Sequence, residues 1–117
     1  MAMTPAEIAT RYFAAWKSND FDAYRALLAP DVGFVGALGE AHGADECVAG
    51  LQQLAGITTD IVIHKMLADD SDALTWFDLH TTAAPPCPVA NWTHVEGGKI
   101  TRIRVTFDPR PLLPPSQ

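Results

Sequence analysis

Residues 91–108 read Asn-Trp-Thr-His-Val-Glu-Gly-Gly-Lys-Ile-Thr-Arg-Ile-Arg-Val-Thr-Phe-Asp, two runs of β-branched and aromatic residues about a double glycine. Only glycine enters positive φ without steric cost, so the pattern predicts a β-hairpin turning at Gly97-Gly98 and halted by Asp108-Pro109. The register of that hairpin decides what lines its inner face. A plain two-residue turn sets Arg102 and Arg104 beside Asn91 and Thr93. A glycine bulge shifts the parity and sets Ile103, Val105 and Phe107 there instead. Burying three apolar side chains gains roughly 1.5–3 kcal/mol each, whereas burying two arginines without matching acids is costly. The bulge is the expected arrangement, with Trp92, His94, Arg102 and Arg104 turned outward.

Upstream the chain opens on helices. Thr4-Pro5-Ala6-Glu7 is a capping box with proline at the first helical position, and Ile8, Tyr12, Ala15 and Trp16 follow on one face. Asp20 can cap a second helix carrying Phe21, Tyr24, Leu27 and Leu28, which Pro30 ends. A short strand at 32–35 lies among glycines. A third helix from Ala44 presents Cys47, Val48, Leu51, Leu54 and Ala55, with Gly56 at its C-terminus. The periodicity then turns to strands: 58–68, with Ile61, Ile63 and Leu67 on one face and Val62, His64 and Met66 on the other, and 73–83. Pro85-Pro86-Cys87-Pro88 connects to the hairpin. Helices first and a strand meander afterwards indicate an α+β fold, three N-terminal helices on the concave face of a curved, cone-shaped antiparallel or mixed sheet. Residues 1–108 form one domain, and the Pro-rich tail 109–117 cannot continue a central strand.

At 117 residues with 48% hydrophobic content the chain can bury a substantial core. The net charge of −6 and the lack of any Lys/Arg cluster argue against nucleic acid or an anionic membrane as partners. No apolar run reaches the ~20 residues of a membrane span, and the N-terminus does not read as a signal peptide. Cys47 and Cys87, without CxxC spacing, are expected as free thiols in a cytoplasmic setting. The histidines lack metal-binding spacing, so no metal site is expected.

If the Pro-rich connection sets Ala83 opposite Pro88, Asp78 lies across from Thr93 and His80 across from Asn91. Trp76, Asp78, His80, Asn91 and Thr93 then share the inner surface, and Phe77 and Leu79 face outward with Trp92. A sheet apolar on both faces wants a partner, which argues for a homodimer through the outer face.

The Arg11-Tyr12-Phe13-Ala14-Ala15-Trp16 run, Asn19-Asp20-Phe21-Asp22, Leu28-Ala29-Pro30-Asp31-Val32 and Glu96-Gly97-Gly98-Lys99-Ile100 leading to Phe107-Asp108 together resemble the nuclear transport factor 2-like superfamily, and within it the SnoaL-like group. The resemblance spans nearly the whole chain. It implies a hydrophobic pocket and cofactor-independent acid/base chemistry of isomerase, polyketide cyclase or epoxide hydrolase type on an apolar or polycyclic small molecule. Against ketosteroid isomerases, Tyr12 matches the oxyanion-hole tyrosine, Asn91 falls near the acid position, and Gly36 stands at the base position. Against limonene-epoxide hydrolases, Asp78 matches the first aspartate. Trp76 replaces the arginine, Val105 the second aspartate, and Phe34 and Gly36 stand where Tyr and Asn would be.

Two readings follow. In the first, Asp78 abstracts a proton or activates water, His80 relays or orients, and Tyr12 and Asn91 donate to an oxygen on which charge develops. Trp16, Trp76, Phe34, Val105 and Phe107 would line the ligand. In the second, Asp78 and His80 are a buried structural pair, and the domain is a non-catalytic ligand-binding or dimerisation module.

Overall fold

A computed structural model describes residues 3–113. The capping box forms as its residue types demand: Thr4 Oγ1 accepts the Glu7 N–H, the Glu7 carboxylate accepts the Thr4 N–H, and helix α1 runs Pro5–Ser18. It ends at Asn19 in the left-handed region (φ 56°), which asparagine tolerates better than most side chains. Asp20 Oδ1 then accepts the Ala23 N–H and starts α2, Phe21–Ala26. This helix is shorter than its apolar stripe suggested. Leu27 is its cap, and Leu28 already belongs to strand β1, Leu28–Gly36. Pro30 therefore lies within a strand, where the pairing slips between Leu28 and Gly33, as a residue without an N–H requires.

The glycines after β1 allow a tight return into an unanticipated edge strand, β2, Gly39–His42. Helix α3 covers Ala44–Ala55 and delivers the chain to β3, Thr58–Ala68. Strands β4 (Asp72–Thr81), β5 (Cys87–Glu96) and β6 (Lys99–Thr106) complete a six-stranded sheet in the order β2-β1-β6-β5-β4-β3. The β1–β6 pair is parallel and the other pairs are antiparallel. The sheet is curved and unclosed, with the three helices packed against it. A short 3-10 turn, Arg110–Leu112, follows; the end of the expected tail, residues 114–117, lies outside the described residues.

The β5–β6 hairpin resolves the register as the burial argument required, though by a different device. Gly97 and Gly98, both at positive φ, make a two-residue turn between Glu96 and Lys99. The bulge sits one pair further on: Val95 faces Ile100, but His94 faces Arg102. Thr101 is the extra residue, its hydroxyl within 2.9 Å of Glu96 Oε2. Parity is shifted, and Val105 and Ile103 stand opposite Asn91 and Thr93.

The β4–β5 register departs from the expected one. Asp78 faces Pro88, Thr75 faces Asn91 and Ala73 faces Thr93. The connection is longer in space than a simple reversal at Ala83, and Asp78 pairs five residues away from the expected Thr93. An odd shift moves every side chain of one strand to the other face. Ala73, Thr75, Phe77 and Leu79 are buried against the helices, while Leu74, Trp76, Asp78 and His80 point away from them. A second slip, between Ile63 and Lys65 in β3, brings Met66 inward opposite Thr75 and turns Leu67 out opposite Leu74.

Candidate functional site

The helices and the concave sheet enclose a cavity of about 440 Å³, open at one end. Its walls follow from the periodicities. Tyr12 and Trp16, four apart, line one side from α1; Tyr24 projects from α2; Cys47, Leu51 and Leu54 follow a helical stripe on α3. Phe77 and Leu79 of β4, Val89 and Asn91 of β5, then Val105 and Phe107 form the floor. Phe34 and the hairpin residues from Gly36 to Ala41 frame the mouth, with Leu38 exposed at its tip.

The buried end is polar in one place only. Asn91, 2% exposed, donates from Nδ2 to the Tyr12 oxygen at 3.4 Å. The Tyr24 ring meets Tyr12 edge-on at a centroid distance of 5.2 Å, and its hydroxyl is close enough to influence Tyr12's ionisation. Burial pushes both phenols above their ordinary pKa, Tyr24 well above. They are therefore protonated hydrogen-bond donors at neutral pH rather than bases. With Asn91 donating into Tyr12, the two hydroxyls share at most one bond between them. One phenolic proton is left without an acceptor among the described residues. Nearby, burial raises the Cys47 thiol to about 11, so it too is neutral. This chemistry suits a neutral oxygen on a ligand.

The sequence-derived site separates in the structure. Tyr12, Asn91, Trp16, Phe34, Val105 and Phe107 all line the cavity. Asp78, His80 and Trp76 do not: they lie on the opposite face of the sheet. Asp78 Oδ2 is 2.9 Å from His64 Nε2, not from His80, and His80 stands opposite Asp60 on β3. Trp76 is half exposed. The expected Asp78–His80 acid/base pair thus has no access to the cavity, because the β4–β5 register puts Thr75, Phe77 and Leu79 on the inner face. It is not a buried structural pair either.

Of the lining residues that sequence reasoning did not name as site residues, Tyr24, Cys47 and Glu40 are the titratable ones. Tyr24 was visible in the α2 stripe, but nothing in its spacing distinguished a cavity wall from core. Cys47 read as a buried helix thiol, which it is, with one side open to the cavity. Glu40 reaches the lining only because β2 pairs with β1, a pairing hidden in a glycine-rich stretch. Among the described residues no group of three or more His, Cys, Asp or Glu side chains converges as metal ligands would.

A profile of the SnoaL-like domain matches residues 9–103, most of the chain. The chain belongs to the SnoaL-like family. No curated protein gives a significant match. Among solved structures, a protein from Kribbella flavida DSM 17836 is 28% identical to this SnoaL-like domain over 91% of it and 88% of the other chain, with a TM-score of 0.86. A nuclear transport factor 2-like protein from Cytophaga hutchinsonii is 24% identical over 96% of both chains, with a TM-score of 0.84. An M. tuberculosis LEH-like epoxide hydrolase is 23% identical over 89% of this chain and 82% of its own, with a TM-score of 0.74. The last two likenesses establish the shared fold.

Proposed function

We propose that this SnoaL-like domain is a small-molecule pocket protein. It takes up a largely apolar ligand and holds one neutral oxygen of it on the phenolic donor of the Tyr12–Tyr24 pair. The unpartnered phenolic proton at the buried end of an otherwise apolar cavity carries the reading. A cavity of about 440 Å³ is of the size that drug-like ligands occupy. A second, catalytic reading draws on the same proton. A donor aimed at a ligand oxygen in a low-dielectric site stabilises charge that develops there, the requirement of isomerisation, cyclisation or epoxide opening. In that reading Asp78 and His80 have no part.

A matched pair of probes tests the assignment: 2-acetylnaphthalene, which offers a carbonyl, and 2-ethylnaphthalene, which does not. A buried neutral hydrogen bond contributes about 1 kcal/mol, so Tyr12→Phe or Tyr24→Phe should weaken the ketone roughly fivefold and leave the hydrocarbon unchanged. Equal affinity of the wild-type chain for both probes, unaltered by either substitution, would reject the assignment.

We also propose that the outer sheet face pairs with a second copy of the chain. Leu74, Trp76 and Trp92 are each 44–50% exposed there. Arg102 and Arg104 of β6 face outward opposite His94 and Trp92, which in turn stand opposite Asp72 and Leu74 of β4; Asp78 lies further along the same face of β4, opposite Pro88. A two-fold axis through β5 lays the arginines of one copy toward β4 of the other, which carries Asp72 and Asp78, a self-complementary arrangement.

A further inference from the structure

We propose that Asn91 selects the ligand. Its side-chain oxygen accepts a ligand O–H or N–H, so the cavity prefers molecules whose buried end both donates and accepts, alcohols and lactams before ketones and ethers. This deepens the pocket reading above and rests on it. Asn91 lies on the inner face of β5, with Thr75 of β4 on one side and Val105 of β6 on the other. It is buried and borders the cavity. Its amide has a donor end and an acceptor end. Nδ2 is spent on the Tyr12 oxygen at 3.4 Å, and Oδ1 has no hydrogen-bond partner among the described residues. Neither strand neighbour supplies one: the valine side chain is apolar, and the Thr75 hydroxyl is itself without a partner.

Thr75 and Thr93 share the sheet face with Asn91 but differ from it in one respect. Their hydroxyls are closed off in the packing and neither residue borders the cavity, so no ligand reaches them. Asn91 is a wall residue, and its open oxygen can meet a ligand. Beside it burial keeps Tyr12 and Tyr24 protonated, and one phenolic proton is left over. A spare donor and a spare acceptor therefore stand together at the buried end. An alcohol oxygen takes the phenolic proton on a lone pair and gives its own proton to Oδ1. A lactam does the same with its carbonyl and adjacent N–H. A ketone or an ether satisfies the phenol and leaves Oδ1 stranded in apolar surroundings, where an unmade hydrogen bond is costly. The rival acceptor is a phenolic lone pair, which stays in place when Asn91 is changed.

Calorimetric titration with four probes on one naphthalene frame tests the assignment: 1-(2-naphthyl)ethanol, its methyl ether, 2-acetylnaphthalene and 2-ethylnaphthalene. The wild-type chain should bind the alcohol about fivefold more tightly than the ether or the ketone, the worth of one further buried hydrogen bond. In Asn91→Leu, which removes the acceptor at similar volume, that margin should vanish or reverse. Alcohol, ether and ketone of equal affinity in the wild type overturn the proposal. So does an alcohol preference that survives Asn91→Leu, which would put the acceptor on a phenol. A ketone preferred by the wild type and no longer preferred in Asn91→Leu would mean that Nδ2 faces the cavity, and overturns it as well. Should Asn91→Leu fail to fold, Asn91→Ala makes the same comparison, and equal wild-type affinities still overturn the proposal. If neither the hydrocarbon nor the ketone binds, the pocket reading falls and the selection with it. If they bind as that reading expects and the alcohol gains nothing, only the selection by Asn91 falls.

Discussion

Asn91 is an amide in the floor of an apolar cavity, and what it touches explains its presence: its Nδ2 occupies a lone pair of Tyr12 and so leaves a phenolic proton over. Two neighbouring residues on the same face are less well provided for. The hydroxyls of Thr75 and Thr93 are buried and have no hydrogen-bond partner among the described residues. An unpartnered buried hydroxyl costs about 1–3 kcal/mol of desolvation. Thr93→Val, which keeps the shape, should therefore stabilise the chain by about 1 kcal/mol, read as a rise of several degrees in the midpoint of a thermal melt. A lower midpoint would show that the hydroxyl has a partner in solution. On the outer face Asp72 is the opposite case. Its carboxylate accepts from the Ser71 hydroxyl, from Trp92 Nε1 at 2.7 Å and from His94 Nδ1 at 2.9 Å. These bonds, Ser71's foremost, hold its pKa near 2 rather than the ordinary 3.8. A depressed acid contributes stability above its unfolded pKa and loses it as pH falls through the folded one. Asp72→Asn should thus lower stability at pH 7 and progressively less between pH 4 and 2, where the wild type gives up the same contribution. Equal loss at both ends of that range would exclude the carboxylate charge as the cause.

At the scale of elements, the β1–β2 hairpin does more than close the sheet. A Cβ at Gly36 would lie 2.7 Å from Cε1 of Phe34, so the ring rests on the bare Cα of Gly36 and both residues border the cavity mouth. Gly36→Ala should displace the Phe34 ring and alter affinity for the naphthyl ketone by severalfold, whereas the same change in a Phe34→Ala background should be nearly silent. Additive effects in that double-mutant cycle would mean that the two residues act separately. The other glycine hairpin was legible from sequence, because alternation on both sides and a double glycine leave few alternatives. Edge strand β2 was not. Four residues between glycines carry no periodicity to read, and only their pairing with β1 makes them a strand. Likewise α2 lost Leu27 and Leu28, since tertiary pairing of Leu28 with Ile100 outweighed an apolar stripe that fitted one more helical turn.

For the whole molecule, the two faces of the sheet divide the chemistry. The inner face holds the cavity, and the outer one holds Trp76, Trp92, Leu74 and the Asp78–His64 pair. If a second copy covers the outer face, light scattering should give twice the mass of a single chain. Trp76→Glu should return it to a monomer without lowering helical content, because Trp76 is already half exposed in one chain. A wild-type chain that stays monomeric at high concentration would leave that face without the proposed partner.

The sequence by itself determined the α+β class, the capping of α1, the face of α1 that carries Tyr12 and Trp16, and the parity of the last hairpin. Each is a local pattern, or a burial difference large enough to choose between two registers. Tertiary structure alone decided which face of β4 looks inward. Period-two alternation tells which residues of one strand travel together, but the partner register depends on how far the Pro-rich connection carries the chain before pairing resumes. The desolvation argument that turned Arg102 and Arg104 outward applies equally to Asp78 and His80: the Thr75, Phe77 and Leu79 face holds no charge, and it is the face that is buried.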